Sequence, residues 1–141
     1  MIDKDLIKYK MSDIQGYFKE LEPILREETD NIIKDTLKIR TVERLFQLIV
    51  DTSIDINTHI IIEMDFSVPN DYQSTFITLG ENKILPMDFA LKIAPSVGLR
   101  NLIVHKYDKV NIKRMIDDIK NEISDYLEYL KFINRFLIEI K

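Results

Sequence analysis

Residues 100–107 (the motif segment) contain the residue types in this chain that are best suited to chemistry. They read Arg-Asn-Leu-Ile-Val-His-Lys-Tyr, and His105 is one of only two histidines among 141 residues. Arginine carries a permanent positive charge, histidine titrates near neutral pH and tyrosine presents a phenol. A guanidinium binds phosphate oxygens and an imidazole can transfer a proton. The motif segment therefore predicts a site that acts on a phosphodiester.

The spacing within the motif segment limits how one chain can use it. Five residues along an α-helix correspond to about 140° of rotation and roughly 7.5 Å of rise. Arg100 and His105 therefore face different directions unless the helix bends or ends between them. Two copies that meet about a two-fold axis could line a shared cleft with both segments, which favours a homodimer. The structural alternative places Arg100 in a surface ion pair and His105 at a helix C-terminus, where the helix dipole favours a cation.

The charge around the motif segment suits a polyanionic partner although the chain is acidic overall. The net charge is −4, but residues 100–114 contain five lysines or arginines and Asp108 as the single anion. Solvated helix faces carry the same residue types, so both interpretations stay open. The chain has no cysteine, which excludes a disulfide framework and a thiolate metal site. We find no signal-peptide core at the N-terminus and no run near the roughly 18 apolar residues of a membrane span, so we expect a cytoplasmic protein without membrane contact.

Helical periodicity runs through nearly the whole sequence. Apolar residues recur at intervals of three and four along residues 7–25, 42–64 and 112–137, and no segment alternates as a half-buried strand does. The sequence therefore predicts one all-α domain over residues 1–141. Its architecture should be an antiparallel bundle of four long helices and one short helix.

Prolines, glycines and capping residues predict where these helices begin, bend and end. We expect a kink or break in the first helix, a cap on the second, and a short helix from Tyr72 to Leu79 closed by a glycine. The next helix should run to Val104 with a bend just before Arg100, and a capped helix should follow it. The residues behind these expectations are, in chain order, Pro23, Asp35 or Thr36, Gly80, Pro86, Pro95 with Gly98, and Asn111.

The motif segment and the helical layout resemble the HEPN superfamily, specifically its HepT-like toxin branch. The pattern of that branch is Arg, a polar residue, three further residues, His, any residue and Tyr, and residues 100–107 match it. Further resemblance in order and spacing covers nearly the whole chain. It includes the stretch Asp51-x-x-x-Asp55-x-Asn57-x-His59, the Pro69-x-x-Tyr72 step and the last helix after Asn111. Pro95 is a departure, because we expect relatives to have an uninterrupted helix there.

The resemblance implies a metal-independent endoribonuclease, the toxin of a type VII toxin–antitoxin system. It implies catalytic roles for Arg100 and His105, a supporting role for Asn101, and no cofactor or metal. The implied partners are an RNA substrate, a second copy, and a minimal nucleotidyltransferase antitoxin that silences the toxin by AMPylation of Tyr107. RNA supplies its own nucleophile, the 2′-hydroxyl, so the protein needs only a proton acceptor and a charge stabiliser. A bulky anion on Tyr107 would block the cleft and compete with RNA for Arg100.

Two other functions fit parts of the sequence. The chain could be a non-catalytic helical subunit that docks onto a nucleotidyltransferase and binds nucleotide or substrate. It could also be a metal-dependent enzyme, because four candidate ligands recur at four-residue intervals on one helix face: Asp51, Asp55, His59 and Glu63. The simpler interpretation of those four is a polar stripe facing solvent, a subunit interface or Arg100. Tyr126 and Tyr129 share their helical spacing with isoleucines, which favours core and rim positions over a base-stacking platform.

Overall fold

The computed structural model describes residues 1–140, and within that range every regular element is helical. The all-α prediction is thereby confirmed. The first and second helices along the chain have 22 and four residues, the third and last have 28 each, and three of seven to ten residues lie between those two. The bounds are α1 Lys4–Leu25, α2 Thr29–Ile32, α3 Thr36–Glu63, α4 Gln73–Glu81, α5 Met87–Ile93, α6 Ser96–His105 and α7 Ile112–Glu139, with a 3₁₀ turn at Tyr107–Lys109.

Side-chain caps fix the starts of the three long helices. The carboxylates of Asp3 and Asp35 and the side-chain oxygen of Asn111 each accept hydrogen bonds from backbone N–H groups in the first turn of α1, α3 and α7. The prediction of Asn111 as a cap is confirmed, and of the two candidates Asp35 and Thr36 the structure has Asp35 as the cap. Pro23 lies in the last turn of α1 without splitting it, and the helix ends two residues later at Leu25.

Gly80 does not close its helix, so the prediction of a glycine cap is wrong. The helix α4 continues to Glu81, and the residue with a left-handed backbone beyond it is Lys83, with φ of 63°. Gly80 instead lies against α5, where an added Cβ would come within 2.8 Å of the Ala90 Cβ. The close packing of α4 on α5 requires a glycine here, because any side chain would clash with a neighbour that cannot move aside.

The predicted fourth long helix is present as two consecutive helices, α5 and α6. Pro95 separates them, since it has no N–H to donate and its ring excludes the carbonyl four residues earlier. The Ser96 hydroxyl donates to the Ile93 carbonyl at 2.7 Å and so supports the junction. From Ser96 to His105 the helix is uninterrupted. The predicted position of the bend, just before Arg100, is therefore wrong: the chain bends at Pro95, and Gly98 lies inside a regular helix.

One continuous core connects the long helices. The helix α1 packs along α3, and α7 packs against α3 and α5. By length and composition α3 could cross a membrane, but 61% of its most apolar 18-residue window is buried by the other helices, as in the central helix of a bundle. Tyr126 and Tyr129 are 1% and 0% exposed, which confirms their predicted place in the core.

Candidate functional site

Arg100 is held between α6 and α3. Its Nε donates to the Asp51 carboxylate at 2.7 Å, and its Nη1 donates to the Asn101 side-chain oxygen at 3.0 Å. The side chain is only 13% exposed, so this is an anchored pair and not a loose surface contact. Arginine has five N–H donors, and three of those of Arg100 have no partner among residues 1–140. The guanidinium is fixed in position and still able to bind an anion.

His105 is the last residue of α6 and is exposed. Its imidazole makes no hydrogen bond or ion pair with any residue from 1 to 140. Because α6 is continuous, the rotation of about 140° between Arg100 and His105 applies without correction. One subunit keeps both side chains available but does not bring them onto the same face.

Tyr107 contacts α3 through two residues that the sequence analysis missed. Its hydroxyl accepts a hydrogen bond from Arg40 Nη1 at 2.9 Å and donates to Glu43 Oε1 at 3.2 Å. The Arg40 guanidinium carbon also lies 5.3 Å from the centre of the tyrosine ring, within the range of a cation–π interaction. Partial burial raises the pKa of Tyr107 above its ordinary value, the Glu43 carboxylate raises it further, and Arg40 opposes the rise.

Both contacts of the motif segment with α3 fall on one polar stripe of that helix. This stripe (the α3 stripe) comprises Arg40, Glu43, Gln47 and Asp51, which are spaced by three or four residues. Gln47 Nε2 donates to the second Asp51 oxygen at 3.4 Å. Tyr107 binds at the first turn of the stripe and Arg100 at its last, roughly 12 Å apart along the helix between Glu43 and Asp51. Helical spacing of charged residues on α3 was the available signal for Arg40 and Glu43.

In this structure Tyr107 is bonded to Arg40 and Glu43, whereas Arg100 is bonded to Asp51 and Asn101. The expectation that a group on Tyr107 would compete for Arg100 therefore needs refinement. The guanidinium in contact with the phenol is that of Arg40.

The four candidate metal ligands serve separate structural contacts. Asp51 binds Arg100, Asp55 lies 3.5 Å from Lys10, and the Glu63 carboxylate pairs with the N-terminal amine. His59 Nε2 accepts the backbone N–H of Asp3 at 3.1 Å. No three histidine or acidic side chains in the described part of the chain gather in a metal-binding arrangement. The structure therefore supports the simpler interpretation of these four residues, as polar side chains that face solvent or Arg100.

Two exposed lysines add positive charge beside the motif segment. Neither Lys106 nor Lys109 has an ion-pair partner among the first 140 residues, whereas Lys113 and Arg114 pair with Asp30 and Asp118. Lys109 also lines a cleft of about 340 Å³ between α6 and α7. The local surface therefore has cations available for a polyanion in spite of the net charge.

Comparison with known proteins identifies the family. The family model described as ribonuclease HepT-like matches residues 14–133. The tRNA nuclease HepT of Aphanizomenon flos-aquae is 31% identical over 140 residues, which cover 99% of this chain and 95% of that protein. The mRNA nuclease HepT of Shewanella oneidensis is 22% identical over 129 residues, which cover 92% of this chain and 96% of that one.

A solved structure shows the same fold. The tri-AMPylated HEPN toxin of Shewanella oneidensis, in complex with its MNT antitoxin, superposes with a TM-score of 0.84 at 21% identity, covering 96% of this chain and 99% of that one. The family match spans the motif segment and most of every long helix. The chain belongs to the HepT-like ribonuclease family.

Proposed function

We propose that this chain is the endoribonuclease toxin of a type VII toxin–antitoxin system and that Arg100 and His105 carry out RNA cleavage. The observation that carries the proposal is the state of Arg100. It is anchored by Asp51, largely buried, and retains three N–H groups without a partner in residues 1–140. A fixed cation with unused donors is suited to binding phosphate and stabilising charge on its oxygens.

The proposed reaction uses only groups of the protein and of RNA. The 2′-oxygen attacks the adjacent phosphorus, and His105 accepts the proton of the 2′-hydroxyl. The new oxygen–phosphorus bond forms as the bond to the 5′-oxygen breaks, and the departing oxygen takes up a proton from solvent water. Arg100 stabilises the charge that builds on the non-bridging oxygens, Asn101 helps to orient the Arg100 guanidinium, and Lys106 and Lys109 bind neighbouring phosphates. The products are a 2′,3′-cyclic phosphate and a 5′-hydroxyl.

We place this reaction in a cleft shared by two subunits. Within one chain Arg100 and His105 lie on different sides of α6, so a single subunit presents half of the catalytic pair. A two-fold axis beside α6 would set Arg100 of one copy against His105 of the other. Each 141-residue chain would contribute one domain.

Regulation is proposed to act through Tyr107. The related Shewanella oneidensis toxin is AMPylated and bound by an MNT antitoxin, and a nucleotidyltransferase of that kind would modify this chain in the cytoplasm, where RNA and ATP are both present. The phenol lies two residues beyond His105, so an attached AMP would place a bulky anion at the end of α6. It would exclude RNA by bulk and by repulsion of phosphate.

The test is cleavage of RNA by the purified chain in the presence of EDTA. His105→Ala should reduce the rate by about 10²- to 10⁴-fold, as expected for loss of a general base, with an unchanged melting curve. The matched control is His59→Ala, which removes the other histidine and should leave cleavage near the wild-type rate. Cleavage by His105→Ala at the wild-type rate would refute the proposal.

The same assay separates the alternatives. Wild-type protein that binds RNA without cutting it would support the non-catalytic subunit, and activity abolished by EDTA would point to a metal-dependent enzyme. Mixing Arg100→Ala with His105→Ala tests the shared cleft, because a mixed dimer regains one intact pair. No recovery on mixing would mean that each subunit acts alone.

A further inference from the structure

Tyr107, Arg40 and Glu43 form a closed triangle of polar contacts. The phenol oxygen lies 2.9 Å from Arg40 Nη1 and 3.2 Å from Glu43 Oε1, and the arginine and glutamate are themselves 3.3 Å apart. The Glu43 side chain is 10% exposed, whereas the Arg40 side chain is 60% exposed. The carboxylate is thus sheltered and fixed, and the guanidinium reaches solvent.

The proposed RNA chemistry leaves this triangle unused. Arg100 binds at the other end of the α3 stripe, and the His105 imidazole contacts neither Arg40 nor Glu43. A nearly buried carboxylate is costly unless it is paired. Glu43 is paired with Arg40, and the same carboxylate oxygen accepts the Tyr107 hydroxyl. The pair therefore holds a carboxylate against the phenol.

A phenol that is to attack phosphorus must lose its proton. The raised pKa of Tyr107 keeps its hydroxyl protonated at neutral pH, and a protonated phenol is a weak nucleophile. General-base catalysis requires an acceptor within hydrogen-bond distance of the hydroxyl. Glu43 Oε1 meets this requirement at 3.2 Å, and it already receives the hydrogen bond of that same proton.

We propose that Glu43 is the general base for AMPylation of Tyr107 and that Arg40 binds the phosphate that is transferred. The inference rests on the proposed function, because it concerns the modification of that site. The Tyr107 oxygen attacks the α-phosphorus of a nucleoside triphosphate presented by the nucleotidyltransferase. The oxygen–phosphorus bond forms, the bond to the bridging oxygen breaks, pyrophosphate leaves, and the phenolic proton passes to Glu43.

The triangle also explains how the product is held. Once modified, the tyrosine oxygen has no proton to donate, and Glu43 passes the proton that it accepted on to solvent. Arg40 lies beside the new phosphodiester anion, to which it can donate two hydrogen bonds. The exposed side of Arg40 leaves the approach open for the transferring enzyme.

The experiment follows the intact mass of the chain during incubation with its nucleotidyltransferase, ATP and Mg²⁺. Glu43→Gln keeps the size and an oxygen acceptor but cannot take up a proton, and it should slow AMP transfer at pH 7 by about 10²-fold or more. Glu81→Gln makes the same chemical change at an exposed site on α4 and should react at the wild-type rate. Glu43→Asp keeps a carboxylate and should recover part of the lost rate.

A pH series distinguishes a base from a structural contact. The deficit of Glu43→Gln should shrink between pH 7 and pH 9, because a growing fraction of phenolate no longer needs the base. Arg40→Gln should be slower by roughly tenfold at every pH, since it loses a charge and not a proton acceptor. Glu43→Gln transfer at the wild-type rate, or a deficit that is constant across this pH range, would overturn the proposal.

Failure of the proposed function gives a different result. Wild-type chain that gains no AMP, or Tyr107→Phe that gains as much as the wild type, would refute modification at Tyr107 itself. Melting curves of the Glu43 variants identify any loss of folding before rates are compared.

Discussion

The helix α3 carries two polar clusters that differ in how completely they are satisfied. Toward its C-terminal half Ser53 and Asn57 are 0% exposed. Asn57 accepts the Tyr129 hydroxyl at 2.6 Å and donates to the Thr75 hydroxyl at 3.1 Å. Every polar side-chain atom of this buried network has a partner within the described residues. The α3 stripe begins at Arg40, about four turns toward the N-terminus. Arg40 contacts Tyr107 and Asp51 contacts Arg100. Three N–H donors of Arg100 have no partner among residues 1–140.

The difference lies in what each cluster has left to offer a ligand. A buried, fully paired network fixes the packing of α3 against α4 and α7, and it has no spare group for a ligand. In the α3 stripe Arg40 is exposed to solvent. Asp51 in the same stripe holds Arg100, which keeps N–H groups that have no partner in the described residues. Polar residue types alone did not distinguish the two clusters, but burial and unused hydrogen-bonding capacity do.

Asn57→Ala should produce the largest effect, because it breaks the buried network. The hydroxyls of Tyr129 and Thr75 each lose a hydrogen-bond partner at a buried site, which should cost about 3 kcal/mol and lower the melting temperature by about 10 °C. Thermal denaturation followed by circular dichroism measures this, with the exposed Asn121→Ala as control. RNA cleavage well below the melting temperature should persist. A loss under about 1 kcal/mol would mean that the network does not specify the packing.

Asp51→Ala, unlike Asn57→Ala, should impair RNA cleavage. Arg100 would lose its anchor, and RNA cleavage should fall roughly tenfold, equivalent to about 1.4 kcal/mol of transition-state stabilisation. Stability should fall by only about 1 to 2 kcal/mol, because the Asp51 side chain is 32% exposed and water can replace part of its contact with the Arg100 guanidinium. The control is Asp55→Ala, one turn further along α3, where the partner is Lys10. Equal cleavage by the two variants would deny Asp51 a role in positioning Arg100.

Glu122, on α7, is a partly buried carboxylate with one oxygen that has no hydrogen-bond partner in the described residues. Of the three substitutions, the one at Glu122 should have the smallest effect. Burial, followed by repulsion from Asp118 and Asp125, raises the pKa of Glu122 from 4.5 to about 7. The folded chain therefore binds this proton more tightly than the unfolded chain, and the resulting stability is present below pH 4.5 and is lost as the pH rises through about 7.

Glu122→Gln should abolish that dependence. After allowance for solvent screening of the exposed part of the side chain, the variant should be about 1 kcal/mol more stable at pH 8, and its melting temperature about 4 °C higher. Melting temperatures of both proteins between pH 4 and pH 8 provide the measurement. Parallel curves for the two proteins would show that Glu122 does not titrate in this range.

Local signals in the sequence were sufficient for much of the fold. Apolar periodicity located the three longest helices. The cap of α7 was identified as Asn111 and the cap of α3 was narrowed to Asp35 or Thr36, because a cap interacts with residues only two or three positions away. Gly80 was misassigned for the opposite reason. Its role depends on Ala90 in another helix, and turn chemistry alone could not reveal that contact.

The sequence by itself determined the helical class, the three longest helices and the motif segment, since these depend on neighbours within a few residues along the chain. Only the tertiary structure decided what the motif segment touches. Tyr107 meets Arg40 and Glu43 across 67 and 64 residues, and Arg100 meets Asp51 across 49. The packing of α6 and the 3₁₀ turn against α3 creates these contacts, because the burial of apolar faces sets which polar side chains come together.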